Sequence, residues 1–161
     1  MVCNEGCMES SGGAARRREI RSRLEPMPAP YVHRLRVRYG ECDPQGVVFN
    51  AHYLAYFDIA LTELWRDALG GYRTMTGSGV DMVVAETCAR YRASAGFDDE
   101  LAISVAVSHL GTTSLGTAME VSREGSLIVE GEMRHVFVDL ATRSKCPIPN
   151  RVRAGLEAYA R

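Results

Sequence analysis

Asp43-Pro44-Gln45-Gly46 sets a carboxylate in a tight turn, with proline suited to the second position and glycine to the fourth. From Ala51 to Leu69 the apolar residues then recur at helical spacing. A carboxylate ahead of a helix N-terminus has a definite chemical use. It can attack a carbonyl carbon, or take a proton from a water that does. The helix end offers unpaired N–H groups and a dipole that favours the negative charge then developing. The same pattern is met equally well by an aspartate that only opens a Pro-Gly turn. His52 could orient a substrate or assist proton transfer near neutral pH. The plainer expectation is a helix-start histidine hydrogen-bonded to the loop. Glu63 stands on the helix among apolar neighbours. If buried it needs a partner, and would hold the Asp43 loop or a residue across a subunit interface; an exposed position fits nearly as well. Asp58 and Asp67 are expected to face solvent. Cys42 adjoins Asp43, but the sequence places no histidine to activate it, so it reads as packing.

The elements that must position these residues follow from periodicity. His33 to Tyr39 alternates, with Leu35, Val37 and Tyr39 on one face and Arg34, Arg36 and Arg38 on the other, as in a half-buried strand. In the helix, Tyr53, Phe57, Ala60 and Leu64 form one apolar row, and Leu54, Leu61, Trp65 and Ala68 another. Together they cover most of the cylinder, which predicts a largely buried helix, ended by Gly70-Gly71. Four more strands are predicted over 81–92, 101–109, 114–122 and 127–139, with Glu124-Gly125 as a hairpin turn between the last two. Pro147 and Pro149 precede a short helix on which Val152, Leu156 and Tyr159 share a face. The fold class is therefore α+β: an antiparallel five-stranded sheet, one long helix and a short C-terminal helix. A sheet of this size leaves edges that pairing with another subunit would protect.

The chain's 161 residues suit one domain, and 46% apolar with 24% charged residues is ordinary for a globular protein. A net charge of −1 gives no global attraction to nucleic acid or acidic membrane. No apolar run approaches the roughly 20 residues of a membrane span. Cys3, Cys7, Cys42, Cys88 and Cys146 are odd in number and contain no C-x-x-C pair, which argues against a disulfide framework or structural zinc and for reduced thiols in a cytoplasm. Residues 1–28 combine serine, glycine, arginine and proline with little apolar content, and are expected to be a disordered tail ahead of a domain over 29–161. Met27 is a possible true start, which the intact mass of the native protein decides.

The order Tyr39-Gly40-Glu41-Cys42-Asp43-Pro44-Gln45-Gly46-Val47-Val48-Phe49, then Tyr53 and Ala60-Leu61-Thr62-Glu63, resembles the hotdog-fold acyl-CoA thioesterases of the 4-hydroxybenzoyl-CoA thioesterase family. Supporting matches are Tyr91-Arg92-Ala93 through Asp98-Asp99-Glu100-Leu101, Gly111-Thr112-Thr113-Ser114, and His135-Val136-Phe137-Val138-Asp139. The resemblance spans roughly 32–149. It implies a sheet wrapped around the central helix and paired subunits, a homodimer or homotetramer, with acyl-CoA bound at their interface. It also implies Asp43 as the catalytic carboxylate and the Asn50 backbone N–H as the group polarising the thioester carbonyl. Many relatives have His at the position of Asn50 and Asn at that of His52; a backbone donor does not depend on this exchange. With His52 and Glu63 added from their own positions, the expected catalytic set is Asp43, Asn50, His52 and Glu63. The implied substrate-binding set is Gly46, Val48, Phe49, Tyr53, Arg92 and Lys145, with Arg90 and Arg143 as further cations for the CoA phosphates. Val48, Phe49 and Tyr53 would line the acyl pocket, although as core residues they need no such role. No metal or other cofactor is expected. Two other classes use the same residues: a hydratase or dehydratase with His52 and Asp43 as an acid–base pair, and a non-catalytic acyl-CoA binder.

Overall fold

A computed structural model describes residues 30–160. The tail expected over 1–28 lies outside the described residues. Strand β1 (Tyr31–Arg36) leads through a 3₁₀ turn (Tyr39–Glu41) to helix α1 (His52–Leu69) and the short α2 (Tyr72–Thr76). Strands β2 (Val80–Tyr91), β3 (Glu100–Leu110), β4 (Ser114–Arg123) and β5 (Ser126–Asp139) follow, and α3 (Asn150–Glu157) comes last. The five strands form one antiparallel sheet in the order β1-β3-β4-β5-β2. This is the hotdog architecture, a sheet curved about one central helix.

Inward residues alternate along the strands because strand side chains have a period of two. Leu101, Ile103, Val105 and Val107 of β3, Leu115, Met119 and Val121 of β4, and Val129, Met133 and Phe137 of β5 are buried. They meet Tyr53, Tyr56, Phe57, Ala60, Leu61, Leu64 and Trp65 of α1. The closest approach is at Gly131, where an added Cβ would stand 2.5 Å from Phe57 Cε2. Helix α1 ends in a Schellman arrangement: Gly70, in the left-handed region, donates to Arg66 O at 2.9 Å, and Gly71 donates to Trp65 O at 3.2 Å. The β4–β5 hairpin turns at Glu124 and Gly125, both at positive φ, as the primed turn of a two-residue hairpin requires.

Two expectations are corrected. Tyr39 does not continue the buried face of β1. The ladder to β3 ends at Arg36, the chain enters the 3₁₀ turn, and Tyr39 is 81% exposed with its ring edge against Phe97. Leu54 of α1 is exposed in the single subunit rather than buried.

His135 is the one histidine among the core residues, facing inward from β5. Burial holds its pKa below the ordinary 6.5, against an opposing pull from the Asp58 carboxylate. Below that value the unfolded chain takes up a proton that the folded chain resists, so stability falls as pH drops through this range. Thermal unfolding at about pH 5 and about pH 7.5 is expected to show this loss in the wild type and a smaller loss in His135→Leu. Equal losses in both proteins would assign the acid sensitivity elsewhere.

Candidate active site

The site grows from the link between β1 and α1. Val37 N–H donates to Asp99 O at 2.9 Å and Asp98 N–H donates to Val37 O at 3.1 Å, which ties the end of the first strand to the loop before β3. Beyond the 3₁₀ turn the chain doubles back as a narrow ribbon. Phe49 N–H donates to Glu41 O at 2.9 Å, Cys42 bridges Val48, and Asp43 N–H donates to Val47 O at 2.9 Å. Asp43 sits at the turn end of this ribbon and Asn50 at its helix end. Seven residues of chain separate them, and the fold-back of the ribbon shortens the path between them. The segment before β3 backs the ribbon: Val48 N–H donates to Ala95 O at 2.8 Å and Val47 bridges Gly96. That segment is itself held by Asp99, which accepts from Gly96 N–H at 2.8 Å and from Arg123 at 2.5 Å. These two bonds, the backbone one first, keep the Asp99 carboxyl below the usual carboxylate range.

At the turn, Gly46 N–H donates to Asp43 O at 2.9 Å, with Gly46 in the left-handed region. Asp43 Oδ1 accepts from Gln45 N–H at 2.8 Å, an Asx turn. The carboxylate therefore does open the Pro-Gly turn. Its second oxygen makes no hydrogen bond among the described residues, and the side chain is half-buried. At the other end, His52, Tyr53 and Leu54 N–H groups donate back to Phe49, Asn50 and Ala51 carbonyls. The Asn50 and Ala51 N–H groups donate to nothing among the described residues, and Ala51, at the cap position, has no capping side chain. Open donors at a helix N-terminus are what a developing anion requires. The Tyr91 hydroxyl donates to Asn50 O at 3.1 Å and so fixes the Asn50–Ala51 peptide, whose N–H is that of Ala51.

Of the remaining expected residues, Val48 and Tyr53 are core residues rather than open pocket walls. Burial pushes the Tyr53 phenol up. Phe49 is half exposed, and the His52 ring stands edge-on to it at 6.3 Å between centroids. The His52 side chain makes no hydrogen bond to the loop among the described residues, although its backbone N–H does. Glu63 lies eleven residues beyond His52, about 16 Å along the helix. There it forms an ion pair with Arg66, one turn on, and the subunit does not bring it to the Asp43 loop. Arg92 and Lys145 do not converge within the subunit. Arg92 follows Tyr91, which pairs with Val129, whereas Lys145 bridges Val138, nine residues or about 30 Å along β5. Arg92 is paired with Glu130 at 2.9 Å and Arg90 with Glu132 at 3.7 Å.

Glu41 was not singled out by its sequence. Its Oε2 accepts from Arg38 N–H at 2.8 Å and from the Tyr56 hydroxyl at 2.7 Å, pinning the start of the ribbon to the second turn of α1. Burial, then this bond to Glu41, pushes the Tyr56 phenol far up. A tyrosine fifteen residues away gives no local signal, so only the fold reveals the link. Tyr56→Phe is expected to cost about 1.5–3 kcal/mol, the range for a hydrogen bond to a charged group. Urea unfolding measures it, and a loss under about 0.5 kcal/mol would show that the bond does not hold the loop.

Residues 37–156 match the family model described as the thioesterase-like superfamily. An acyl-CoA thioester hydrolase, YbgC, of Escherichia coli O6:H1 is 31% identical over 121 residues, which cover 74% of this chain and 90% of the relative. A 1,4-dihydroxy-2-naphthoyl-CoA hydrolase of Synechococcus sp. is 28% identical over 141 residues, covering 81% of this chain and 92% of the relative. Among solved structures, a hypothetical protein, TT1821, of Thermus thermophilus superposes with a TM-score of 0.75 at 29% identity, over 80% of this chain and 98% of that one.

Proposed function

The chain belongs to the thioesterase-like superfamily and is a thioester hydrolase, and we propose that it cleaves acyl-CoA to a free acid and CoA with Asp43 as the reactive group. The carrying observation is the ribbon that joins a carboxylate with one uncommitted oxygen to a helix end with two undirected N–H groups. The free Asp43 oxygen attacks the thioester carbonyl carbon, or removes a proton from a water that does so. The carbonyl oxygen gains negative charge, which the Asn50 N–H and the helix dipole stabilise. The C–S bond then breaks and CoA leaves as the thiol, taking a proton that water supplies; where Asp43 itself attacked, water then hydrolyses the anhydride it formed, which frees the acid and restores the carboxylate. Tyr91 and Glu41 act as positioning residues, holding the Asn50–Ala51 peptide and the ribbon.

The proposal includes a second copy of the chain. Among the described residues strand β2 pairs only with β5 and so forms a sheet edge, and it carries exposed Val83 and Val84. Ile59 and Leu54 on α1 are also exposed. Long apolar edges of this kind are normally paired. A homodimer, or a tetramer of such dimers, closes that edge and brings basic residues from two chains to the pocket mouth. Free Cys42, Cys88 and Cys146 fit a reducing cytoplasm.

A thiol-release assay over aromatic and aliphatic acyl-CoAs tests the activity. Release from at least one class, at rates well above the uncatalysed background, is expected. Loss of enoyl-CoA absorbance without thiol release would favour hydration instead, and binding without either reaction would leave a non-catalytic carrier.

A further inference from the structure

We propose that the open groove beside Tyr39 and Phe97 takes the nucleotide end of CoA, with adenine stacked on the two rings and a phosphate on Arg38. This rests on the acyl-CoA reading and adds to it how CoA is held.

Tyr39 is 81% and Phe97 58% exposed, and their rings meet at 85° with centroids 5.9 Å apart. A single exposed apolar residue is ordinary, but two large rings in contact make a patch, and such patches mark binding surfaces. The core does not need them: neither ring packs against the buried cluster, and the segments that carry them are held by backbone bonds and by Asp99. Perpendicular rings leave faces open, and any base can stack on an open ring face. The groove encloses about 630 Å³ and is lined by Arg34, Arg36, Arg38 and Asp98 besides the two rings, among others. Arg34 is paired with Glu100, and Arg36 with Glu100 and Asp98. Arg38 makes no ion pair among the described residues, so three arginines stand against two carboxylates. A phosphate is the complement of that surplus charge. A purine joined to phosphates meets both features of the groove at once.

The groove also lies where the reacting end of CoA requires it. Asp43 faces Val47 across the ribbon, Val47 bridges Gly96, and Phe97 is the next residue. Two strand spacings and one residue step limit the Asp43–Phe97 separation to about 15 Å between Cα atoms, within reach of a pantetheine arm. The cations first expected to hold the phosphates are placed less well. Arg90 and Arg92 are paired with Glu132 and Glu130. Lys145 bridges Val138, at the far end of β5 from Ile128, whose carbonyl accepts from Arg92 and Ala93 N–H ahead of the segment that backs the ribbon. The groove is also clear of the surface given to a second copy. That surface is the β2 edge, whereas Tyr39 follows β1, at the other end of the strand order.

The test uses the acyl-CoA hydrolysed fastest, the S-acyl-pantetheine with the same acyl group, and adenosine 3′,5′-bisphosphate as the nucleotide alone. Tyr39→Ala, Phe97→Ala and Arg38→Gln, checked for folding by urea unfolding, should each lower the ratio of kcat/KM for acyl-CoA to that for acyl-pantetheine by about tenfold. Phe97→Leu keeps apolar bulk without a ring and should fall as far, whereas Phe97→Tyr keeps the ring and should stay within about twofold of the wild type. The bisphosphate should compete with acyl-CoA, and calorimetry should show it bound about tenfold more weakly by the ring-deleted variants. An unchanged ratio in folded variants would overturn the site while leaving the hydrolase intact. Bisphosphate binding that does not compete with acyl-CoA would also overturn it, since the nucleotide would then have a separate site. If no acyl-CoA is hydrolysed, calorimetry alone decides. Weaker binding to Phe97→Leu than to the wild type upholds the groove; equal binding, or none to the wild type, overturns it.

Discussion

Asp43→Ala lowers turnover of the preferred acyl-CoA by about 10²–10⁴, the range for losing a general base, with the fold retained. The retention follows from the surroundings of the residue. The ribbon is held by the Asp43 N–H to Val47 and Phe49 N–H to Glu41 backbone bonds, neither of which uses the Asp43 side chain. The side chain contributes one hydrogen bond, to Gln45 N–H, at an exposed turn. Its loss costs about 1 kcal/mol. A fall in KM alone, or near-normal turnover in a folded variant, would remove Asp43 from the chemistry. The uncommitted oxygen is the reason for expecting a large effect, since a carboxylate fully engaged by the turn would have no lone pair to offer.

Phe57→Ala is expected to destabilise the subunit by about 3–5 kcal/mol, as for other buried aromatics truncated to alanine. Phe57 is fully buried on the sheet-facing side of α1, and Gly131 of β5 gives it room where any side chain would intrude. This pair sets how closely the sheet wraps the helix, and hence where the helix end lies relative to the ribbon. The reverse change tests the same contact: Gly131→Ala forces the strand or the ring to move, with a cost of about 1–3 kcal/mol from overpacking. Urea unfolding midpoints measure both. Losses below about 1 kcal/mol for Phe57→Ala would mean that the helix and sheet do not depend on this contact.

The helix over 52–69 and the four strands after it were legible in the sequence because their apolar residues repeat at 3.6 or at two, and because glycines mark their ends. The Asp43 turn was legible for the same local reason. Tyr39 was misplaced because alternation continues in the sequence after the ladder has ended; only the bonds from Val37 to Asp99 and from Asp98 to Val37 show where the strand stops. The five-residue α2 is too short to carry a period. For Glu63 helical spacing gives a face but not a neighbour, so the loop, a residue across an interface and an exposed position all fit the sequence. Its ion pair with Arg66 at i+3 is a local feature that spacing alone does permit. Arg92 and Lys145 were grouped by charge, and the antiparallel register of β2 and β5 places them at opposite ends. Glu41, Tyr56 and Tyr91 join segments far apart in the chain, and no local pattern announces such contacts.

The turn and the chemistry assign Asp43 two roles, and one substitution separates them. Asparagine keeps an oxygen that can accept from Gln45 N–H and so preserves the Asx turn, but it is neither a base nor a nucleophile at neutral pH. Thiol release from an acyl-CoA by Asp43→Asn, set beside the wild type at matched stability, is therefore the most direct test. The reaction proposed here predicts a loss as deep as that of Asp43→Ala. Activity close to wild type would mean that Asp43 serves only the turn.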